Sequence, residues 1–178
     1  QTTASAIING PTLLSTSISG TDVSCNNSCD GSSTVNASGG SPGYTYLWND
    51  PNAQTTATAS NLCAGSYIVS VIDNNGCNSS ANITINEPSI LSASINSSDV
   101  SCNGLCDGSA TVTANGGTPG YTYLWDDPNT QTTATASNLC AGVFTVTITD
   151  NNGCTQTSSV TINEPSILSA SIVGSDVS

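Results

Sequence analysis

The sequence has no lysine, no arginine and no histidine among its 178 residues, whereas aspartate and glutamate together number 12. Nucleic-acid binding through a basic patch is therefore excluded, because that binding depends on cationic side chains releasing counterions from phosphates. Salt bridges between side chains are excluded for the same reason. The one-sided negative charge favours an extended, soluble chain, since like charges spread along it repel one another.

The same absences argue against catalysis. Histidine and lysine are the usual bases near neutral pH, and neither is present. Paired carboxylates can serve glycoside hydrolysis, but Asp126 and Asp127 are neighbours in sequence, and neighbours on a strand point to opposite faces. Their counterparts in the repeat described below are Asn49 and Asp50. We predict that the chain is not an enzyme.

Long hydrophobic runs and methionine are also lacking. No segment has the length and composition of a membrane span or a signal peptide, so we expect no direct insertion into a membrane. Since methionine is absent, we expect the sequence to be a processed or excerpted part of a longer protein.

What the sequence does contain is an internal repeat of 77 residues. Residues 25–77 return as 102–154, and over 25–91 against 102–168 the two copies are identical at 47 of 67 positions. A repeat of this length indicates an array of like modules, so function is expected at the level of the array.

Prolines mark the predicted module boundaries. Pro11, Pro88 and Pro165 occupy equivalent positions, and proline biases the preceding residue towards an extended conformation. We therefore predict short, stiff junctions. The predicted division is a last strand of a preceding repeat at 1–10, complete modules at 11–87 and 88–164, and a first strand of a following repeat at 165–178.

Apolar and polar residues alternate along each module, as in half-buried strands. Ser33, Val35 and Ala37 show this pattern; a first strand is predicted at 14–18 and a short edge segment at 55–62. Runs of glycine, asparagine and aspartate separate the strands, and no window has helical periodicity. Six or seven strands per module predict an all-β fold of tandem immunoglobulin-like antiparallel β-sandwiches.

One predicted strand in each module has its aromatic side chains on a single face. We interpret these residues as core, because they are the large side chains available to fill a small module. The alternative is a platform that stacks on sugar rings. The residues are Tyr44, Tyr46 and Trp48, and in the second module Tyr121, Tyr123 and Trp125.

Eight cysteines occupy four repeat positions, each used twice. A module of 77 residues is close to the lower size limit for a hydrophobic core that is stable by itself, so we expect covalent cross-links to stabilise it. We predict disulfides formed in an oxidising compartment. A zinc site is disfavoured because histidine is absent.

Spaced motifs run through the whole repeat. They are VSCN at 23–26, DGS at 30–32, GGSPGYTYLW at 39–48, LCAGSYIV at 62–69, DNNGC at 73–77 and EP at 87–88. Together they resemble the SprB-repeat family of Bacteroidetes cell-surface proteins, and Cys102-Asn103-Gly104 makes the second module the closer match. Gly43 and Gly120 depart from the family, which usually has a second proline there.

The resemblance implies a place at the cell surface. Such repeats occur in very long adhesins, including those of gliding bacteria, which the type IX secretion system exports, and there they form a filamentous stalk. The resemblance also implies disulfides Cys29–Cys63 and Cys25–Cys77, with Cys106–Cys140 and Cys102–Cys154 as their equivalents.

The predicted strand order conflicts with the outer pair. In an immunoglobulin-like path Cys25 and Cys63 lie at one end of the sandwich and Cys77 at the other. Cys25 at the junction end could instead bond to Cys154 of the next module. The sequence leaves the bond within a module and the bond between modules open.

A calcium site is the one cofactor that the sequence suggests. Asp73 and Asp150 each begin an Asp-Asn-Asn-Gly run, and Asp30 or Asp107 could add a carboxylate. The alternative is a hairpin turn, which the same residues favour and which fits the incomplete loop pattern better. We therefore expect no cofactor.

These patterns predict a structural and adhesive segment of an extracellular surface filament. Its expected partners are neighbouring repeats, other copies of the filament or surface polysaccharide. The alternatives are an array of modules that bind carbohydrate or protein, and a protein that assembles laterally into a surface layer.

Overall fold

A computed structural model describes Ala4 and residues 10–174 of the chain. The chain divides into two compact units, Gln1–Pro88 and Ser89–Ser178, which are called module one and module two below. The predicted strand at 1–10 falls almost entirely outside the described residues. Residues 165–174, predicted to begin a first strand, contain no strand.

Each module consists of six strands, and no helix occurs in the part of the chain that the structure describes. The strands of module one are β1 (Ser15–Thr21), β2 (Gly31–Ser38), β3 (Thr45–Trp48), β4 (Thr58–Leu62), β5 (Gly65–Ile72) and β6 (Asn78–Ile85). Those of module two are β7 (Ser92–Ser98), β8 (Gly108–Asn115), β9 (Thr122–Trp125), β10 (Thr135–Leu139), β11 (Gly142–Thr149) and β12 (Thr155–Ile162).

The strands of each module form two antiparallel sheets. In module one the sheets are β1-β2-β4 and β3-β5-β6; in module two they are β7-β8-β10 and β9-β11-β12. Strand β5 alternates buried and exposed residues over most of its length, since one face meets the opposite sheet and the other meets solvent. The predicted fold of tandem immunoglobulin-like β-sandwiches is confirmed.

The core of module one is built around Trp48, which is 1% exposed. It packs with Val35, Leu62 and Val69, which come from both sheets. Its indole N–H donates to the carbonyl of Thr56 at 2.9 Å, so the polar atom is satisfied inside the apolar core. Trp125 repeats the arrangement in module two.

The predicted edge segment at 55–62 is shorter in the structure, where β4 begins at Thr58. The carboxylate of Asp50 accepts hydrogen bonds from the backbone N–H groups of Asn52 and Gln54, at 3.1 and 2.9 Å. The Gln54 side chain then bridges Asp50 to Ser60. These bonds close residues 50–54 into a loop, and residues 55–57 between that loop and β4 are not part of the strand.

The order of strands gives each module two distinct ends. The proximal end is where β1 and β6 begin, with the turn at 39–41 and the hairpin at 73–77; the distal end is where both strands finish. The eight residues of β6 extend about 26 Å at a strand's rise per residue. The chain therefore enters a module at one end and leaves it at the other.

Candidate functional site: the two ends of each module

The hairpin at the proximal end is organised by one carboxylate. Asp73 accepts hydrogen bonds from the backbone N–H groups of Ser41 at 2.8 Å, Asn75 at 2.9 Å and Cys77 at 2.8 Å. The N–H of Ser41 is the largest influence that lowers the pKa of Asp73, and those of Cys77 and Asn75 add to it. One side chain thus fastens the β5–β6 hairpin to the turn that follows β2.

Module two has the same arrangement around Asp150. Its carboxylate accepts from the N–H groups of Thr118 at 2.8 Å, Asn152 at 2.9 Å and Cys154 at 2.9 Å. Burial raises the pKa of Asp150, but these hydrogen bonds outweigh it and hold the pKa below its usual value. Next to it, the N–H of Gly117 donates to the carbonyl of Ser89 at 2.8 Å. The first residue of module two is thereby tied to its proximal end.

The distal end holds the loop between β1 and β2. Asp30 accepts hydrogen bonds from the hydroxyl and backbone N–H of Ser24 and from the hydroxyl of Ser28, which lower its pKa from 3.8 to about 2. A disulfide joins Cys29 to Cys63 across this end, and Cys106 is bonded to Cys140 in module two. These are the inner pairs that the family resemblance implied.

The chain is also held where it leaves the module. The side-chain amide of Asn26 donates to the carbonyl of Pro88 at 3.1 Å, and the backbone N–H of Asn27 donates to the carboxylate of Glu87 at 2.8 Å. In module two Asn103 and Gly104 make the same bonds to Pro165 and Glu164. Proline alone predicts a stiff junction; these hydrogen bonds were not predicted from the sequence. The sequence feature that could have indicated them is the asparagine that follows the first cysteine of each copy, Asn26 and Asn103.

The structure does not bring the predicted calcium ligands together. Asp73 lies at the proximal end and Asp30 at the distal end, a strand length apart, and Asp150 and Asp107 are separated in the same way. In the described part of the chain, no group of three acidic or cysteine side chains is arranged to hold a metal ion. Every buried side-chain oxygen there has a hydrogen-bond partner. A cation would therefore have to displace N–H donors.

The acidic pair at Asp126 and Asp127 is likewise occupied by backbone donors. Asp127 is 2% exposed and accepts from the N–H groups of Asn129 and Gln131. Asp126 accepts from the N–H of Thr145 at 2.7 Å. Asp127 closes the loop that follows β9, whereas Asp126 binds strand β11, so the two carboxylates serve different partners.

The aromatic residues belong to the core. Trp48 and Trp125 are each 1% exposed, so neither indole face is available to a sugar ring. The four tyrosines of the aromatic strands are partly buried and packed against the core, and Tyr44 donates its hydroxyl proton to the carbonyl of Gly39 at 2.6 Å. The outer face of the same strand exposes Leu47 and Leu124.

The outer cysteines lie at opposite ends of each module. Cys25 is in the distal loop, whereas Cys77 follows the proximal hairpin, so about 26 Å of strand separates them. A disulfide requires Cα atoms within about 7 Å. Cys77 and Cys102 are free and exposed. The bonds within a module, Cys25–Cys77 and Cys102–Cys154, are therefore wrong.

Two copies of one disulfide-stapled sandwich define this chain as a tandem array of immunoglobulin-like modules. A sequence model of the family described as SprB repeat matches residues 17–53 and 94–130, at equivalent positions of the two modules. Each module thus contains a segment similar to the SprB repeat. Along the residues described here, no helix is long and apolar enough to cross a membrane.

The solved structures that match this chain include Dscam chains and an amphioxus molecule. The N-terminal four Ig domains of Dscam1 isoform 9.44 are 12% identical with a TM-score of 0.40, over 89% of this chain and 47% of that chain. A Dscam structure concerned with isoform specificity is 13% identical with a TM-score of 0.37, over 75% and 41%. The amphioxus IgVJ-C2 molecule is 17% identical with a TM-score of 0.33, over 69% and 89%.

The alignment spans less than half the length of either Dscam chain. Among curated proteins, none matches the chain.

Proposed function

We propose that this chain is a structural and adhesive repeat segment of a long filament or adhesin stalk on the cell surface. The observation that carries the proposal is the path of the chain, which enters each module at its proximal end and leaves at its distal end. Modules with this path extend lengthwise when they are repeated. A module whose two termini met at one end would fold the array back on itself.

A filament segment in which the chain follows this path is well suited to bear tension along its length. Strands β1 and β6 run in the same direction and lie side by side, with the hydroxyl of Thr16 donating to the carbonyl of Ser80 at 3.2 Å. Tension between the proximal and distal ends acts along the strands, across hydrogen bonds that are perpendicular to them. All bonds of a ladder then resist together, instead of opening one after another.

The disulfides support a location outside the cytoplasm. Structural disulfides form and persist in oxidising compartments, and each module has one at its distal end. The similarity of both modules to the SprB repeat supports the finer placement on the surface of a bacterium of the gliding type, with export by the type IX secretion system. The uniform negative charge keeps neighbouring stretches of such a filament apart.

Immunogold electron microscopy of intact source cells tests this function. Antibodies raised against the purified chain are expected to label thin filaments at several points along their length, because the epitope recurs with each module. Intact cells that bind no antibody, while thin sections of the same cells are labelled only in the cytoplasm, would contradict the proposal. Labelling of ordered sheets would replace the filament with a laterally assembled surface layer.

A second candidate function is a binding array. A shallow depression recurs at one place on the outer face of both modules, lined by Leu47, Asn49 and Ile68 in the first and by Leu124, Asp126 and Thr145 in the second. Binding of the chain on a glycan array, lost in a Leu47→Ser and Leu124→Ser variant that still melts normally, would favour this candidate. Equal signals from the chain and the variant would remove it.

A further inference from the structure

We propose that disulfides join neighbouring modules, with Cys25 of module one bonded to Cys154 of module two. This inference rests on the proposed function and deepens it, since it gives the array a second covalent connection beside the backbone. In a longer array the same rule pairs the distal-loop cysteine of each module with the hairpin cysteine of the next.

Cys25 lies beside the last residues of its own module. Two residues before it, the N–H of Val23 donates to the carbonyl of Asn86 at 3.1 Å. Directly after it, Asn26 donates to the carbonyl of Pro88 at 3.1 Å. The cysteine is therefore held between two contacts to the segment through which the chain leaves module one.

Cys154 lies beside the first residues of its own module. Its N–H donates to Asp150, and the same carboxylate accepts from the N–H of Thr118. The neighbouring Gly117 donates to the carbonyl of Ser89. Ser89 follows Pro88 directly in sequence. Each cysteine is thus placed, within its own module, next to the same point of the chain.

The free thiols agree with this rule. A bond within each module would involve Cys77 and Cys102, which are free and exposed. They occupy different repeat positions, a hairpin position in module one and a distal-loop position in module two. Under the rule, the hairpin cysteine Cys77 pairs with a preceding module and the distal-loop cysteine Cys102 pairs with a following module. Cys102 lines an open cleft with Pro165, Ile167 and Leu168, where its own module ends.

Formation of the bond removes two electrons and two protons from the pair of thiols. We assign the oxidant to a protein disulfide of an oxidoreductase in the oxidising compartment. The thiolate of one cysteine attacks that disulfide and forms a mixed disulfide. The thiolate of the second cysteine then displaces the oxidoreductase, which leaves as a dithiol, and the bond between modules is complete.

Peptide mapping without reductant tests the pairing in the 178-residue chain purified from an oxidising compartment. Trypsin cannot cut a chain without lysine and arginine, so an aspartate-specific endoproteinase is used. Cleavage before each aspartate separates the cysteines into the peptides 22–29, 50–72, 73–98, 99–106, 127–149 and 150–175.

The proposal predicts that peptide 22–29 is linked to both 50–72 and 150–175. Alkylation before cleavage should mark two thiols, Cys77 in peptide 73–98 and Cys102 in peptide 99–106. Peptide 22–29 linked to 73–98, or an alkylated Cys25, would overturn it. The inner pairs serve as an internal control, because they are retained in either case.

Matched variants give a second readout. Cys25→Ser and Cys154→Ser should each raise the number of alkylated thiols from two to three, whereas Cys77→Ser and Cys102→Ser should lower it to one. An unchanged count in Cys25→Ser would contradict the bond. These counts are independent of filament labelling on cells: the bond can fail while filaments are labelled, and filaments can be missing while the bond is present.

Discussion

Six aspartates of this chain act as hydrogen-bond acceptors that close loops. They are Asp30, Asp50, Asp73, Asp107, Asp127 and Asp150. Each has a lowered pKa, for which hydrogen bonding to the charged form is responsible. In a chain without cationic side chains, backbone N–H groups, serine hydroxyls and glutamine side-chain amides therefore replace salt bridges as partners of the carboxylates.

These lowered pKa values predict loss of stability in acid. A group whose pKa is lower in the folded state contributes stability above its unfolded pKa and loses it as the pH falls through the folded value. For Asp30 that window runs from 3.8 to about 2. The melting temperature of the oxidised chain should therefore fall as the pH is lowered through this range. These measurements are made in about 0.5 M salt, which screens the repulsion between charges, so the change in net charge contributes little to the change in melting temperature.

The Asp73→Asn and Asp150→Asn variants are the control for that decline. An asparagine offers one acceptor oxygen where the aspartate has two, and its NH₂ group faces N–H donors. Both variants should melt lower than the parent at neutral pH and show a shallower dependence on pH. If the melting temperature of the unsubstituted chain stays constant down to about pH 2, the role given to these carboxylates is contradicted.

Trp48 and Leu47 are neighbours with opposite roles. Trp48 is 1% exposed in the core and Leu47 is 54% exposed on the outer face. Trp48→Ala should destabilise module one by about 3–5 kcal/mol, because it leaves a large cavity. Leu47→Ala should change stability by less than about 0.5 kcal/mol. Urea unfolding followed by circular dichroism measures both, and equal effects would contradict the assignment of the aromatic strand to the core.

At the scale of elements, the inner disulfide closes the segment from β2 to β4. Cys29 and Cys63 are 34 residues apart in sequence. A loop of that size lowers the entropy of the unfolded chain by an amount that corresponds to about 3–4 kcal/mol. The Cys29→Ser and Cys63→Ser double variant should lose this much stability in module one, as measured by urea unfolding. The intact Cys106–Cys140 module provides the comparison, and two unchanged transitions would contradict the estimate.

The strands were predictable because their signal is local. Alternation in Tyr67, Val69 and Val71 directly reflects one buried face of β5, and glycine-rich turns mark the ends of strands. The repeat itself gave the number of modules.

The rest depends on residues far apart in sequence. Sequence spacing does not show that Asp50, Gln54 and Ser60 form one network, or that Asn26 reaches Pro88, 62 residues away. The strand order did reveal that Cys25 and Cys77 lie at opposite ends. The family resemblance, taken alone, implied the wrong pair.

At the scale of the whole molecule, the chain contains two copies of one module. In each module the chain enters at one end and leaves at the other. Asn26 or Asn103 donates a hydrogen bond to the segment that leaves the module. The two modules therefore share one design, with equivalent proximal and distal ends.

The contour length of recombinant arrays tests the central claim most directly. Arrays of two, four and eight modules, imaged by negative-stain electron microscopy, should appear as thin rods or strings. Their length should grow linearly by about 3–4 nm per module, which is the length of an eight-residue strand plus the turns at its two ends. Compact particles whose longest dimension does not grow in proportion to module number would contradict an end-to-end array.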